Sequence, residues 1–84
     1  MDYNQNTIAV LRRLFTKRRI GGKHTEEKNV LRWLKNLSPE DKNLALKDWD
    51  KAIKDGLVLK QKKTKEWHVS LNPRRLKDIH NLIK

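Results

Sequence analysis

Three histidines, two serines and one pair of adjacent glycines are the residues of this chain whose types could do covalent or metal chemistry. His24, His68 and His80 include no pair spaced i, i+4, and no cysteine stands by to complete a tetrahedral set, so no metal site is expected. His24, beside Thr25, could instead help hold a phosphate where a helix begins and backbone N–H groups gather. Ser38 and Ser70 each have a structural reading, as a helix cap and a strand residue, and neither has a histidine and carboxylate to activate it. Gly21-Gly22 lacks the spacing and the following Lys-Ser/Thr of a phosphate-cradling loop. The chain is therefore not expected to be an enzyme, and no cofactor is implied.

What remains is charge. Against 10 Asp and Glu stand 21 Lys and Arg, a net +11 that repels itself in a folded chain unless an anionic partner is met. Nucleic acid is the default partner for such a balance. A lysine run is also, often, no more than a solvated face, and this reading stands beside the other for Lys60-Gln61-Lys62-Lys63. Lys17-Arg18-Arg19 could likewise serve the C-terminal carbonyls of the helix before it. Trp33, Trp49 and Trp67 invite a stacking platform for bases, but each falls on the apolar side of its element, so core positions are expected; Trp67 is closest to a hairpin tip.

Length narrows the class further. Residues 1–84 have room for one domain, which buries only about 60–65% of its unfolded surface and commits its large apolar side chains to one core. The lack of cysteine fits a reducing, cytoplasmic location, with association to the nucleoid if DNA is the partner. No apolar run approaches the roughly 18 residues of a membrane span, and no membrane partner is expected.

The elements that must position the charges can be read from periodicity. Ile8, Leu11, Leu14 and Phe15 predict a helix over about 7–19, broken by Gly21-Gly22. Thr25, followed by Glu26 and Glu27, predicts the start of a second helix over about 25–36, with Val30, Trp33, Leu34 and Leu37 inward and Lys28, Arg32 and Lys35 outward. Ser38-Pro39-Glu40-Asp41 is the sharpest signature: a capping hydroxyl, a proline fit for the first helical position, and two carboxylates at the positive helix end. This third helix runs over about 39–55 to Gly56, with Ala45, Leu46, Trp49, Ala52 and Ile53 as its buried stripe. Alternation then predicts a hairpin over about 57–71, with Leu57 and Leu59 on one side of the first strand and Trp67, Val69 and Leu71 on one side of the second. Asn72-Pro73 opens a last helix over about 73–83, striped by Leu76, Ile79, Leu82 and Ile83.

The order of three helices, a hairpin and a helix, ααα-ββ-α, together with the passage Asp55-Gly56-Leu57-Val58 into the first strand, resembles the winged helix-turn-helix family over about residues 7–83. His68-Val69-Ser70-Leu71-Asn72-Pro73 also looks like a group of small archaeal winged-helix proteins. The resemblance implies an α+β, mainly α fold: a three-helix bundle, a β-hairpin wing and a C-terminal helix. It further implies that the third helix enters the DNA major groove while the wing reaches flanking phosphates. Those roles would fall to Asn43, Lys47, Lys51 and Lys54 on the helix, and to Lys62, Lys63, Thr64 and Lys65 on the wing, with Lys28, Arg32, Arg74 and Arg75 as further basic contacts.

One feature opposes a simple groove reader. Residues 1–36 hold 9 basic and 3 acidic side chains, residues 37–56 hold 4 and 5, and residues 57–84 hold 8 and 2, so the third helix is the least basic part of the chain. Glu40, Asp48, Asp50 and Asp55 would meet phosphates poorly unless they lie to the side, or unless the contact surface is instead the wing or another basic face, supplied by Arg12, Arg13, Lys17, Arg18, Arg19, Lys62, Lys63, Lys65, Arg74 and Arg75. Double-stranded DNA is the expected partner, with the chain a small transcriptional regulator or chromosome-associated factor. Structured RNA and an acidic protein remain open, as do a protein-docking role through Leu44 and a homodimer built on the first or last helix.

Overall fold

The computed structural model describes residues 2–84. Asn4 begins the fold: its side-chain oxygen accepts from the Thr7 amide at 2.9 Å and caps helix α1, Gln5–Thr16. Thr7, Val10, Leu11 and Leu14 form its buried face. The helix stops three residues before the expected Arg19, and the glycines do not stop it. Arg18 takes φ of 56°, its N–H bonds to Phe15 O and the N–H of Arg19 bonds to Leu14 O, so a left-handed C-cap closes on an arginine.

The chain after this cap corrects the sequence reading of the second helix. Thr25 does not cap a helix. Thr25–Glu26 form a short strand, β1, which pairs antiparallel with Val69 and His68. Helix α2 begins only at Glu27, runs to Leu31, and tightens into a 3-10 turn over Arg32–Leu34. The cause is tertiary: a strand further along the chain presents an open edge of N–H and C=O groups, and Thr25–Glu26 satisfies part of it. Ile20 extends this edge through an isolated bridge to Leu71.

Helix α3, Pro39–Lys54, matches its signature. The Ser38 hydroxyl accepts from the Asp41 amide, Pro39 occupies the first turn, and Gly56 at φ 82° receives the chain as it leaves. Ala45, Trp49 and Ala52 are buried, whereas Leu46 and Ile53 lie at the core's edge rather than within it.

Strands β2, Val58–Lys63, and β3, Glu66–Leu71, form the hairpin, and the sheet order is β1-β3-β2. The element order is thus α-β-α-α-ββ-α, with a three-stranded antiparallel sheet where a bare hairpin was expected. Register assigns the faces: Val58 lies opposite Leu71, Lys60 opposite Val69, and Lys62 opposite Trp67. Val58, Val69 and Leu71 are buried on that face. The expected inward pair Leu57 and Leu59 is therefore split, because Leu57 packs in the core before the strand begins and Leu59, opposite Ser70, lies on the other face and is 42% exposed. A two-residue turn, Thr64-Lys65, joins the strands, with Thr64 at φ 56°.

Asn72 knits the end of the sheet to the last helix. Its side chain accepts from the Arg74 amide and donates to Gly56 O, leading into a 3-10 turn over Pro73–Arg75 and helix α4, Leu76–Ile83. Ile79 and Ile83 bury against α1, and the Arg12 guanidinium donates to the terminal carbonyl of Ile83 at 2.9 Å.

Candidate nucleic-acid interface

Helix α3 presents its outer stripe as its sequence demands: with Ala45, Trp49 and Ala52 turned inward, Asn43, Lys47 and Lys54 project to solvent on the opposite side. The four acidic residues do not share one fate. Asp48 accepts from the Asn4 amide at 2.5 Å, and Asp55 accepts from the Tyr3 hydroxyl at 2.5 Å. The segment ahead of α1 thus lies against one flank of α3 and engages two of its carboxylates. Glu40 and Asp50 stay exposed.

Tyr3 is the anchor of that segment. Burial, the hydrogen bond to Asp55 and the charges of Asp55 and Asp48 push its phenol above the ordinary range, so it stays a donor at any physiological pH. Lys51 belongs to the same flank, its ammonium 4.8 Å from the Tyr3 ring centre and 3.0 Å from Asp2 O. It is therefore a partner of this segment as much as an outward cation, unlike Lys47 and Lys54. Sequence reasoning missed Tyr3, since a lone aromatic ahead of a helix carries no periodic signal.

The remaining candidates divide by what they touch. Lys62, Lys63 and Lys65 stand exposed at the hairpin tip around Thr64 and make no ion pair among the described residues. Lys28 is held between Glu26 and Glu66, each at 3.3 Å, and the hydrogen bonds to Glu66 and Glu26 raise its pKa. Arg75 donates to Asp55 O and to Asp78, both at 2.8 Å, so it bolts the end of α3 to α4. Arg74 is exposed beside it, and Arg32 lines an open polar groove with Arg13, Asn29 and Lys35. The twelve residues therefore differ in what engages them: Lys28 and Arg75 serve the fold, while Lys47 and Lys54 on α3, Lys62, Lys63 and Lys65 at the hairpin tip, and Arg32 and Arg74 make no ion pair among the described residues.

The tryptophans separate in the same way. Trp49 is buried and its indole N–H donates to Glu27 at 2.9 Å; the same carboxylate meets Lys60 at 3.2 Å. Trp33 is half-buried under the Arg13 guanidinium, 4.4 Å from its ring. Trp67, expected in the core, is 45% exposed. It does lie on the core face of β3, but two residues beyond Val69, where the core has ended. Counting register back from the two-residue turn would have found it opposite Lys62.

His24 takes no place at a helix start. Its Nδ1 lies 2.7 Å from Nδ1 of His68, with the rings edge to face, on the sheet side away from Val69. Partial burial, His68, Lys63 and Arg19 together lower its pKa. No group of three or more potential metal ligands occurs among the described residues, and none of their helices is long and apolar enough to cross a membrane.

The fold and surface define a small α+β domain, mainly helical, with a three-stranded antiparallel sheet and a strongly basic hairpin. No model of a known family, no curated protein and no solved structure matches the chain.

Proposed function

We propose that this chain is a winged-helix domain that binds double-stranded DNA, as a small transcriptional regulator or chromosome-associated factor. In this reading α3 enters the major groove and the β2–β3 hairpin acts as the wing on flanking phosphates. The observation that carries it is the fate of two α3 carboxylates: Tyr3 and Asn4 engage Asp55 and Asp48 on one flank, while Asn43, Lys47 and Lys54 stand on the outer stripe beside exposed Glu40 and Asp50. A helix of this width fits a groove about 12 Å wide, where Asn pairs with adenine and Lys with guanine. Lys62, Lys63 and Lys65 suit phosphate, which reads no sequence but fixes register.

The test is a fluorescence-anisotropy titration of random-sequence duplex at 50 and 200 mM salt, beside single-stranded RNA and an anionic polymer. About six neutralised phosphates lose on the order of a thousandfold in affinity across that range. Steep salt dependence with preference for duplex over polymer supports the reading; absence of duplex binding at 50 mM sinks it. Leu44, 56% exposed on α3, favours a second reading in which a protein partner docks there, and such a complex would hold its affinity as salt rises.

A further inference from the structure

Trp67 lies outside the core and outside the duplex contacts assigned to α3 and the hairpin tip, yet it is the largest apolar side chain left open to solvent. Strand register sets its surroundings. Lys62 is its direct cross-strand partner and Lys60 its diagonal one, and their ammonium groups lie 5.9 and 5.0 Å from the indole centre. Lys60 is also paired with Glu27, which in turn accepts from Trp49 inside the core, so the root of this cluster is fixed to the middle of α3. Lys62 makes no ion pair among the described residues. The result is a partly open indole with two ammonium groups over its ring, one held by Glu27 and the other, Lys62, without an ion pair.

The bland account of such a cluster is that lysine stems shade a surface tryptophan. That account explains Lys60, which Glu27 holds in place. It accounts for Lys62 as well, as a cross-strand cation resting over the ring, but not for the indole itself, at a strand position where the core has ended and a polar side chain would serve.

The geometry points to a stacking site for an unpaired nucleobase: Trp67 takes the base on its ring and Lys62 takes the adjoining phosphate. Every base offers a π-face, so an indole holds one without reading its identity, while cations beside it track the backbone. A base within an intact duplex is inaccessible to it. This inference rests on the DNA reading and sharpens it: the preferred target is duplex DNA that adjoins an unpaired segment, with α3 on the paired part and the hairpin face on the first unstacked base.

The experiment compares a blunt 16-base-pair DNA duplex with the same duplex carrying a three-nucleotide single-stranded DNA end, or a three-nucleotide RNA end, at about 100 mM salt. The wild-type chain should bind the DNA-ended duplex about tenfold more tightly than the blunt one. Trp67→Ala should bring that affinity down to the blunt value, Trp67→Phe should keep most of the gain, and Lys62→Ala, which also lacks a hairpin-tip contact to duplex phosphate, should weaken binding to both duplexes and to the ended one more. Circular dichroism of each variant checks that it is folded, and Trp67→Phe, which keeps a ring at the position, carries the test if the alanine variant is not. Equal affinity of wild type for blunt and ended duplexes overturns the stacking site and leaves duplex binding intact. A preference for the RNA end over the DNA end overturns it as a DNA site. No binding to either duplex overturns the DNA reading itself.

Discussion

His24 and His68 meet Nδ1 to Nδ1 at 2.7 Å, a bond that requires one ring to donate and the other to accept, and so requires at least one of them to be neutral. The bond ties the loop before β1 to the middle of β3.

Acid should loosen this tie. The folded pKa of His24 lies below its unfolded value of about 6.5, because partial burial, His68, Lys63 and Arg19 all disfavour its cation. Above about pH 6.5 both states are neutral and the contribution is complete. As pH falls below 6.5 the unfolded chain takes up a proton that the folded chain resists, so stability declines toward the lowered folded value. Urea midpoints between pH 7.5 and 5 should fall, and His24→Asn should flatten the slope.

Arg18 holds a left-handed backbone conformation that disfavours a side chain by about 1–2 kcal/mol. Arg18→Gly should therefore raise stability by about 1 kcal/mol, or roughly 4–8 °C in Tm for a domain of this size. A calorimetric Tm below that of the wild type would mean that the arginine side chain makes a stabilising interaction of its own.

Two leucines should differ sharply on truncation. Leu11 is fully buried in α1, and Leu11→Ala should destabilise by about 2–5 kcal/mol through reduced burial and a residual cavity. Leu44→Ala, on the exposed side of α3, should stay within about 0.5 kcal/mol. Chemical unfolding of both variants measures the contrast.

At the hairpin tip, replacing Lys63 and Lys65 together by alanine should weaken duplex binding and reduce the salt slope by about 2, one for each phosphate that is no longer neutralised. Arg75→Ala should act otherwise, lowering the Tm because Asp55 O and Asp78 lose their donor, with little change in slope. Salt titrations of binding alongside melting curves separate the two kinds of cation.

How much of the molecule is legible in its sequence follows from where each determinant lies in the chain. Helix α3 is readable end to end because its signals are local: Ser38-Pro39 at the start, Gly56 at the stop. The start of α2 is not, because Thr25 is drawn into a strand by its distant partner Val69. The end of α1 is misjudged because two glycines draw the boundary while an arginine supplies the turn. At the interface, exposed Asn43, Lys47 and Lys54 follow from helical period alone. The shielding of Asp48 and Asp55 by Asn4 and Tyr3 is a contact across the fold, and no spacing within α3 announces it.

The sheet order leaves β2 at an open edge, and that edge reads Val58-Leu59-Lys60-Gln61-Lys62-Lys63. A second molecule seeking to add its own β2 there would bring lysine against lysine, so like charge keeps neighbouring copies from zipping together. A polyanion that neutralises these side chains lifts that barrier at the moment it crowds the copies onto one polymer. On the proposed reading the molecule is best insulated from its own kind when unbound, and long, saturated nucleic acid would be the condition under which strand-to-strand adhesion between copies first emerges.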